Sequence, residues 1–236
     1  MNSGAYTRND RPQRIFDCVC AAAGLIVLSP LMIGIGALIA AFDGTPILFR
    51  QVRVGRNGRP FRILKFRTMR AGSTGTRITS GGDSRITPIG VVLRKYKLDE
   101  LPQLVNVLVG EMSLVGPRPE VPEYVRLDSP AWQAVLQARP GITDLASLVY
   151  RNEEDLLGLV HEPETYYRNR LQPRKLALNL TYLSTRNLGW DIRLILASIR
   201  YSLVPGQFDP EFVYRKFVPG GHCEPHVHSL SCSIDR

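Results

Sequence analysis

The sequence predicts an α+β chain in two parts. A kinked apolar helix enters a membrane and leaves by the same face; a small helix-rich domain follows, with one β-hairpin and amphipathic interfacial helices. Three observations carry this. Residues 18–42 hold 25 residues without a charge, interrupted by Ser29-Pro30. Apolar and basic residues alternate on both sides of a Gly-Arg-Asn-Gly turn at 55–58. Beyond residue 100, apolar side chains recur at helical spacing in several segments. The expected division is a basic N-terminal segment (1–14), the membrane helix (15–42), a domain over 43–205 and a flexible C-terminal tail over 206–236.

At 236 residues, 44% hydrophobic and 22% charged, the chain is long enough for a real core and excludes a fibrous or disordered class. Its net charge of +9 points to anionic partners: lipid headgroups, nucleic acid or phosphorylated substrates. The cysteines, Cys18 and Cys20 in the apolar run and Cys223 and Cys232 near the end, make no disulfide framework and read as free thiols.

As a straight helix, the run from Cys18 to Phe42 is about 37 Å long, enough to cross the hydrocarbon core. It is too long for a signal-peptide core, so it is expected to be retained. Pro30 lacks an N–H and clashes with the carbonyl of Ile26, and the Ser29 hydroxyl can bond an upstream carbonyl. Spanning helices tolerate proline too, so a kink alone does not separate re-entry from a span. The flanks favour re-entry: Arg8, Arg11 and Arg14 precede the run and Arg50, Arg53, Arg56 and Arg59 follow it, and basic flanks prefer one side.

Next, Val52 and Val54 alternate with Gln51 and Arg53, and Phe61 and Ile63 with Arg62, around a turn signal. A hairpin with one apolar and one arginine-rich face is expected. The basic face suits lipid or solvent, with Lys65 and Arg67 at its exit within reach of a phosphate as the alternative. The loop AGSTGTRITSGGDSRITPIG, with Gly75, Gly81 and Gly82, fits no Walker or dinucleotide fingerprint. It reads equally as a flap over a site or a plain surface loop.

From Gly44 to Lys97 there are 13 Lys or Arg and a single acid, Asp83; then Asp99 and Glu100 stand side by side. Leu101, Leu104, Val105 and Leu108 share one helical face after them, and Pro102 suits a first turn, so helix-dipole stabilisation alone could explain the two acids. The cationic surroundings, which keep both ionised, and the stiff Gly116-Pro117-Arg118-Pro119 loop, which aims one guanidinium, point instead to phosphate chemistry.

The segments KFRTM (65–69), LRKYKLDELPQLVNVLVGEMSLVGPRP (93–119) and ARPGIT (138–143) resemble the bacterial sugar transferases, the monotopic phosphoglycosyl transferases, over about residues 12–204. A helix broken at Ser-Pro ahead of a basic cytosolic catalytic domain is also that family's layout. The resemblance implies that Asp99 attacks the β-phosphate of a UDP-sugar, releasing UMP and leaving a phosphosugar on the enzyme. Polyprenyl phosphate then takes the phosphosugar, the first membrane step of polysaccharide or glycoconjugate assembly. It implies that Glu100 binds Mg²⁺ and that Lys65, Arg94 and Arg118 contact phosphates, with Arg67, Pro117, Pro119 and Arg139 also part of the substrate site. Its implied location is the cytoplasmic face of a bacterial inner membrane, with membrane lipids as partners and no nucleic acid. Asp144 and Ser147 depart from the family pattern, where Gly and Gln are usual, which bears on sugar recognition more than on the chemistry.

Residues 173–188 and 190–203 read as helices. In the second, Asp191 suits an N-cap, and Ile192, Ile195, Leu196, Ile199 and Leu203 form an apolar face, read first as core packing and second as an interfacial face. The tail, with His222, Cys223, His226, His228 and Cys232, has no standard zinc spacing and is expected to be disordered. A non-enzymatic basic membrane adaptor remains the alternative function, although it gives no role to Asp99-Glu100 or to residues 116–119.

Overall fold

A computed structural model describes residues 11–70, 72–73, 79 and 81–218. Arg8, Gly75 and the histidines and cysteines after residue 220 lie outside the described residues. Helix α1 (Arg11–Phe42) leads into the antiparallel hairpin β1 (Leu48–Val54) and β2 (Pro60–Phe66). Then come α2 (Pro88–Lys95), a 3-10 turn Leu98–Glu100, and α3 (Gln103–Val109). Strand β3 (Ser113–Val115) pairs in parallel with β4 (Gly141–Thr143), and α4 (Pro130–Val135) lies between them in sequence. Three helices lead from β4 to a π turn at Tyr167–Leu171, namely α5 (Leu145–Val149), α6 (Glu153–Gly158) and α7 (Pro163–Tyr166); α8 (Gln172–Thr185) and α9 (Leu188–Leu203) follow the turn. The last is α10 (Pro210–Phe217). The result is a helix-rich mixed fold with small sheets and one long apolar N-terminal helix, about 48 Å at 1.5 Å per residue, long enough to cross a membrane.

The apolar helix does not stand apart. Its near half packs Ala21, Leu25 and Leu28 against Phe61, Leu104, Val107 and Met112. Its far half packs Met32, Ile35 and Ile39 against Phe66 and Leu93. Polar locks tie its start to the domain. At the C-terminus of α3, Arg14 donates to the carbonyls of Val107 (2.5 Å), which also accepts from the Gly110 N–H, and Leu108 (2.7 Å), and buried Asp17 accepts from the N–H of Leu114 at 3.0 Å. The Ser29 hydroxyl donates to the Ile26 carbonyl at 2.8 Å, the acceptor that Pro30 cannot reach. Val19, Ile26, Val27, Ile33 and Phe42 remain exposed on the other side. Cys18 and Cys20 are free thiols.

The main core lies between α5, α8, α9, α10 and β3, built from residues such as Leu148, Val149, Leu178, Tyr182, Leu194 and Val213. Four expectations are corrected here. First, the hairpin has no clean apolar face. The register sets Arg53 opposite Phe61, Gln51 opposite Ile63 and Val52 opposite Arg62, so Val52 faces solvent and Arg53 faces inward. Second, α3 turns its buried face to Gln103, Leu104, Asn106 and Val107, leaving Val105 and Leu108 exposed. Third, Asp191 is not the N-cap of α9. Asn187 caps it through Trp190 N–H, while Asp191 is buried and accepts from the Tyr182 hydroxyl at 2.5 Å. The apolar stripe of α9 is core only in part: Ile195 packs against the main core, while Leu196 and Leu203 are 61% and 71% exposed. Fourth, the stretch expected as tail holds α10, capped by Asp209, whose Val213 and Phe217 are spaced to face the main core.

Candidate active site

Asp99 and Glu100 reach the interior because of how α2 ends. Lys97 takes the left-handed conformation (φ 57°), which turns the chain sharply out of α2 and into the Leu98–Glu100 turn. A lysine there costs on the order of 1–3 kcal/mol in backbone strain, and its charge also stabilises both carboxylates. Both acids end up buried at that turn rather than exposed on a helix start.

Two neighbours hold Glu100. Lys65 Nζ and Arg118 Nη2 donate to the same oxygen, Oε1, at 2.8 and 2.9 Å. Burial would raise this carboxyl, but Arg118 and Lys65 outweigh it and hold it well below the usual range. Asp99 differs. Its Oδ2 lies 4.0 Å from Lys65 Nζ, and its Oδ1 is buried without a hydrogen-bond partner. Burial therefore dominates and pushes its carboxyl up, opposed by Lys65 and reinforced by the Glu100 charge. The pair thus divides into a neutralised, anchored carboxylate and a desolvated one with a bare oxygen.

Each cation is placed by an identifiable contact. Asn106 of α3 accepts from Leu64 N–H (3.0 Å) and donates to the Arg62 carbonyl (2.9 Å), which fixes β2, and so Lys65, against the helix that follows the dyad. Gly116 and Gly141 pack backbone to backbone: a Cβ on Gly141 would lie 2.1 Å from Gly116 N, and one on Gly116 would lie 2.3 Å from the Arg139 carbonyl. No larger residue fits this approach, so Arg118 leaves β3 along a fixed path. Buried Pro117 accepts from Gly141 N–H at 3.0 Å, and the Pro119 carbonyl accepts from Arg53 at 3.2 Å. The Arg139 carbonyl lies at this close approach to Gly116.

Lys65, Asp99, Glu100 and Arg118 come together directly. Arg94, on the last turn of α2, ion-pairs with Glu154 of α6. Arg67 is turned away: its Nη2 donates to the carbonyls of Asp43 (2.6 Å) and Gly44 (2.7 Å), which ties the hairpin exit to the end of α1. Asp144 is fully buried, accepts from Ser147 N–H at 2.7 Å and so caps α5; burial pushes its carboxyl up. Lys97, Asn106 and Arg151 were missed from the sequence. Arg151, half-buried, feels the Glu100 charge and donates only weakly, at 3.4 Å, to the Lys95 carbonyl. A lysine where helix termination favours glycine was the available signal for Lys97; Arg151 had none.

Magnesium suits this donor set. Mg²⁺ takes one or two carboxylates and completes its shell with phosphate oxygens and water; Asp99 Oδ1, buried and without a partner, is such an oxygen next to Glu100. Among the described residues no cluster of three or more His, Cys, Asp or Glu forms an all-protein metal cage.

Residues 8–204 match the family described as bacterial sugar transferase. The chain is 37% identical over 195 residues to a UDP-glucose:undecaprenyl-phosphate glucose-1-phosphate transferase of Caulobacter vibrioides, covering 80% of this chain and 69% of that one. It is 37% identical over 174 residues to exopolysaccharide production protein ExoY of Rhizobium meliloti, covering 66% and 77%. It is 39% identical over 162 residues to a UDP-N-acetylgalactosamine-undecaprenyl-phosphate N-acetylgalactosaminephosphotransferase of Aeromonas hydrophila, covering 66% and 38%.

Proposed function

Because the chain belongs to the bacterial sugar transferase family, we propose that it moves a sugar-1-phosphate from a UDP-sugar to polyprenyl phosphate and releases UMP. The observation that carries this is the dyad: a desolvated carboxylate, Asp99, with a bare oxygen, beside a carboxylate already neutralised by Lys65 and Arg118.

The electron accounting is simple. A lone pair on an Asp99 oxygen forms a bond to the β-phosphorus, and the bond from that phosphorus to the bridging oxygen breaks. UMP departs with that electron pair. In the second half, an oxygen of polyprenyl phosphate attacks the same phosphorus and expels the Asp99 carboxylate. No proton has to move in either step. Desolvation makes Asp99 a better nucleophile than an exposed carboxylate, and Lys65 and Arg118 stand where phosphoryl oxygens gather negative charge. Glu100, with Asp99, would hold Mg²⁺, which supplies charge neutralisation on the phosphates. Splitting the transfer in two also spares the site from holding a water-soluble and a lipid substrate at once. The relatives' names include glucose and N-acetylgalactosamine, so the donor is proposed at the level of a UDP-sugar.

Membrane placement follows the same logic. One side of α1 packs on the domain from Ala21 to Ile39 and its other side is apolar and exposed. A helix crossing the bilayer would drag that domain into the hydrocarbon, whereas one that bends at Ser29-Pro30 and stays in one leaflet satisfies both sides. The exposed apolar stripe of α9 suits the same interface. We take the leaflet to be the cytoplasmic one, from the basic flanks.

Incubation of the purified protein with a panel of UDP-sugars, Mg²⁺ and polyprenyl phosphate tests the activity. UMP release with at least one sugar is expected. A folded protein that releases none would refute the transferase assignment and leave a lipid-binding adaptor. A cysteine at position 2 labelled only from the periplasmic side would refute re-entry.

A further inference from the structure

Arg94 is held by an anion that the chain itself provides. Helix α6 opens with three consecutive acids, Glu153, Glu154 and Asp155. Glu153 accepts from buried Lys175 at 2.7 Å, and Glu154 pairs with Arg94. The Glu154 pair is unlike the one at Glu100. The Glu100 side chain is 9% exposed and shared by two cations, whereas that of Glu154 is 42% exposed and holds one. Ion pairs that wet are weak and exchange readily. On the other partner, Arg94 Nε is buried with no acceptor, so the guanidinium keeps an unused donor. The backbone beneath Glu154 is fixed independently of its side chain: Gly81 N–H donates to the Glu154 carbonyl at 2.7 Å, and a Cβ on Gly158 would lie 3.1 Å from Gly81 N. The carboxylate can therefore swing into water while α6 stays in place.

We propose that Glu154 is a resident counter-ion that an incoming phosphate must displace from Arg94, so that it sets how much negative charge a ligand must bring to the site. This rests on Arg94 being a phosphate contact in the reaction proposed above. The ligand chemistry is a phosphate ester, from either the nucleotide diphosphate or the lipid phosphate. Competition lowers apparent affinity by the fraction of molecules in which Arg94 is occupied. Glu154 thereby favours multiply charged phosphates over singly charged anions, which gain too little from Arg94 to replace a carboxylate.

The test is calorimetric binding of UDP and, separately, of a short-chain polyprenyl phosphate to the full-length protein in detergent, as wild type, Glu154→Gln and Glu154→Asp. Glu154→Gln keeps both backbone contacts. It is expected to tighten binding of one ligand or both by up to about fivefold at low salt, about 1 kcal/mol. The gain should shrink in ~0.5 M salt as the wild-type pair is screened. The ligand that gains is the one whose phosphate Arg94 receives. Glu154→Asp, which keeps the charge, is expected to remain near wild type. Equal or weaker binding of both ligands by Glu154→Gln, in a preparation whose wild type binds UDP and releases UMP, would overturn this inference alone. Failure of the wild type to bind either ligand would overturn it together with the transferase assignment.

Discussion

Replacing Asp99 with asparagine should abolish the first half-reaction and make the protein more stable. The two effects have one source. Lys65 Nζ lies 4.0 Å from Asp99 Oδ2, worth about 4 kcal/mol of attraction at an effective dielectric constant of about 20. Against it stand a desolvation penalty of several kcal/mol per buried ion and about 1–3 kcal/mol for a buried acceptor left without a partner, which is the state of Oδ1. The raised carboxyl of Asp99 says the opposing side wins. An amide of the same shape loses the attraction but also the desolvated charge, and Lys65 keeps Glu100 at 2.8 Å. We expect a net gain of about 1 kcal/mol, or about 2–4 °C in Tm for a chain of this size. Intact mass after incubation with a UDP-sugar and no lipid acceptor reports the phosphosugar adduct, and thermal unfolding in detergent reports stability. A Tm several degrees lower, or a full-strength adduct on Asp99→Asn, would refute the account of Asp99 as a strained nucleophile.

The remaining predictions concern its neighbours. Arg118→Lys keeps the charge but loses the planar fork; UMP release should fall by about tenfold or more, an effect of roughly 1.4 kcal/mol or greater on the transition state, read as kcat/KM for the UDP-sugar. For the pH dependence, the raised Asp99 carboxyl means that acid protonates it first, so activity should fall on the acid side at a pH above that of an ordinary aspartate. Lys65→Met should move that limb higher still, because Lys65 is the leading influence that lowers it; an unmoved limb in a pH–rate profile would contradict this. Glu100 has the opposite sign. Its depressed carboxyl gives stability that is fully present above the unfolded value and lost as pH falls toward and through the folded one, so Glu100→Gln should lower Tm at pH 7, and by progressively less as pH falls below the ordinary glutamate range. Leu196→Glu, on an exposed position of α9, should leave Tm within a degree or so, as surface changes usually do, while weakening retention on liposomes in a flotation assay.

Much of this site was legible in the sequence because its parts are covalently close. Asp99-Glu100 and residues 116–119 are short, stiff and charged, and Ser29 meets the Ile26 carbonyl within a single turn of helix. The misses came from long-range geometry. The hairpin's pairing register, absent from any local pattern, sent Arg53 inward and Val52 outward. Arg67 stands two residues after Lys65 in a basic run, yet it goes to the end of α1 because two unpaired carbonyls wait there. The α9 stripe satisfies the periodicity of a core helix and of an interfacial one equally, and only the neighbours of Leu194 and Tyr201 reveal which side is inside. Glu154 could not be matched with Arg94 across 60 residues without the fold.

The contacts of α1 have a practical consequence. Ala21 and Ile39 are fully enclosed and Ile35 nearly so, like the core residues of the domain, and Arg14 binds carbonyls at the end of α3. Trimming the chain before Asp43 to obtain a water-soluble form would therefore uncover Leu104, Val107, Phe66 and Leu93, which α1 covers. Helix α1 is thus a structural partner of the domain rather than a detachable appendage, and purification schemes are better served by carrying detergent with it than by cutting it away.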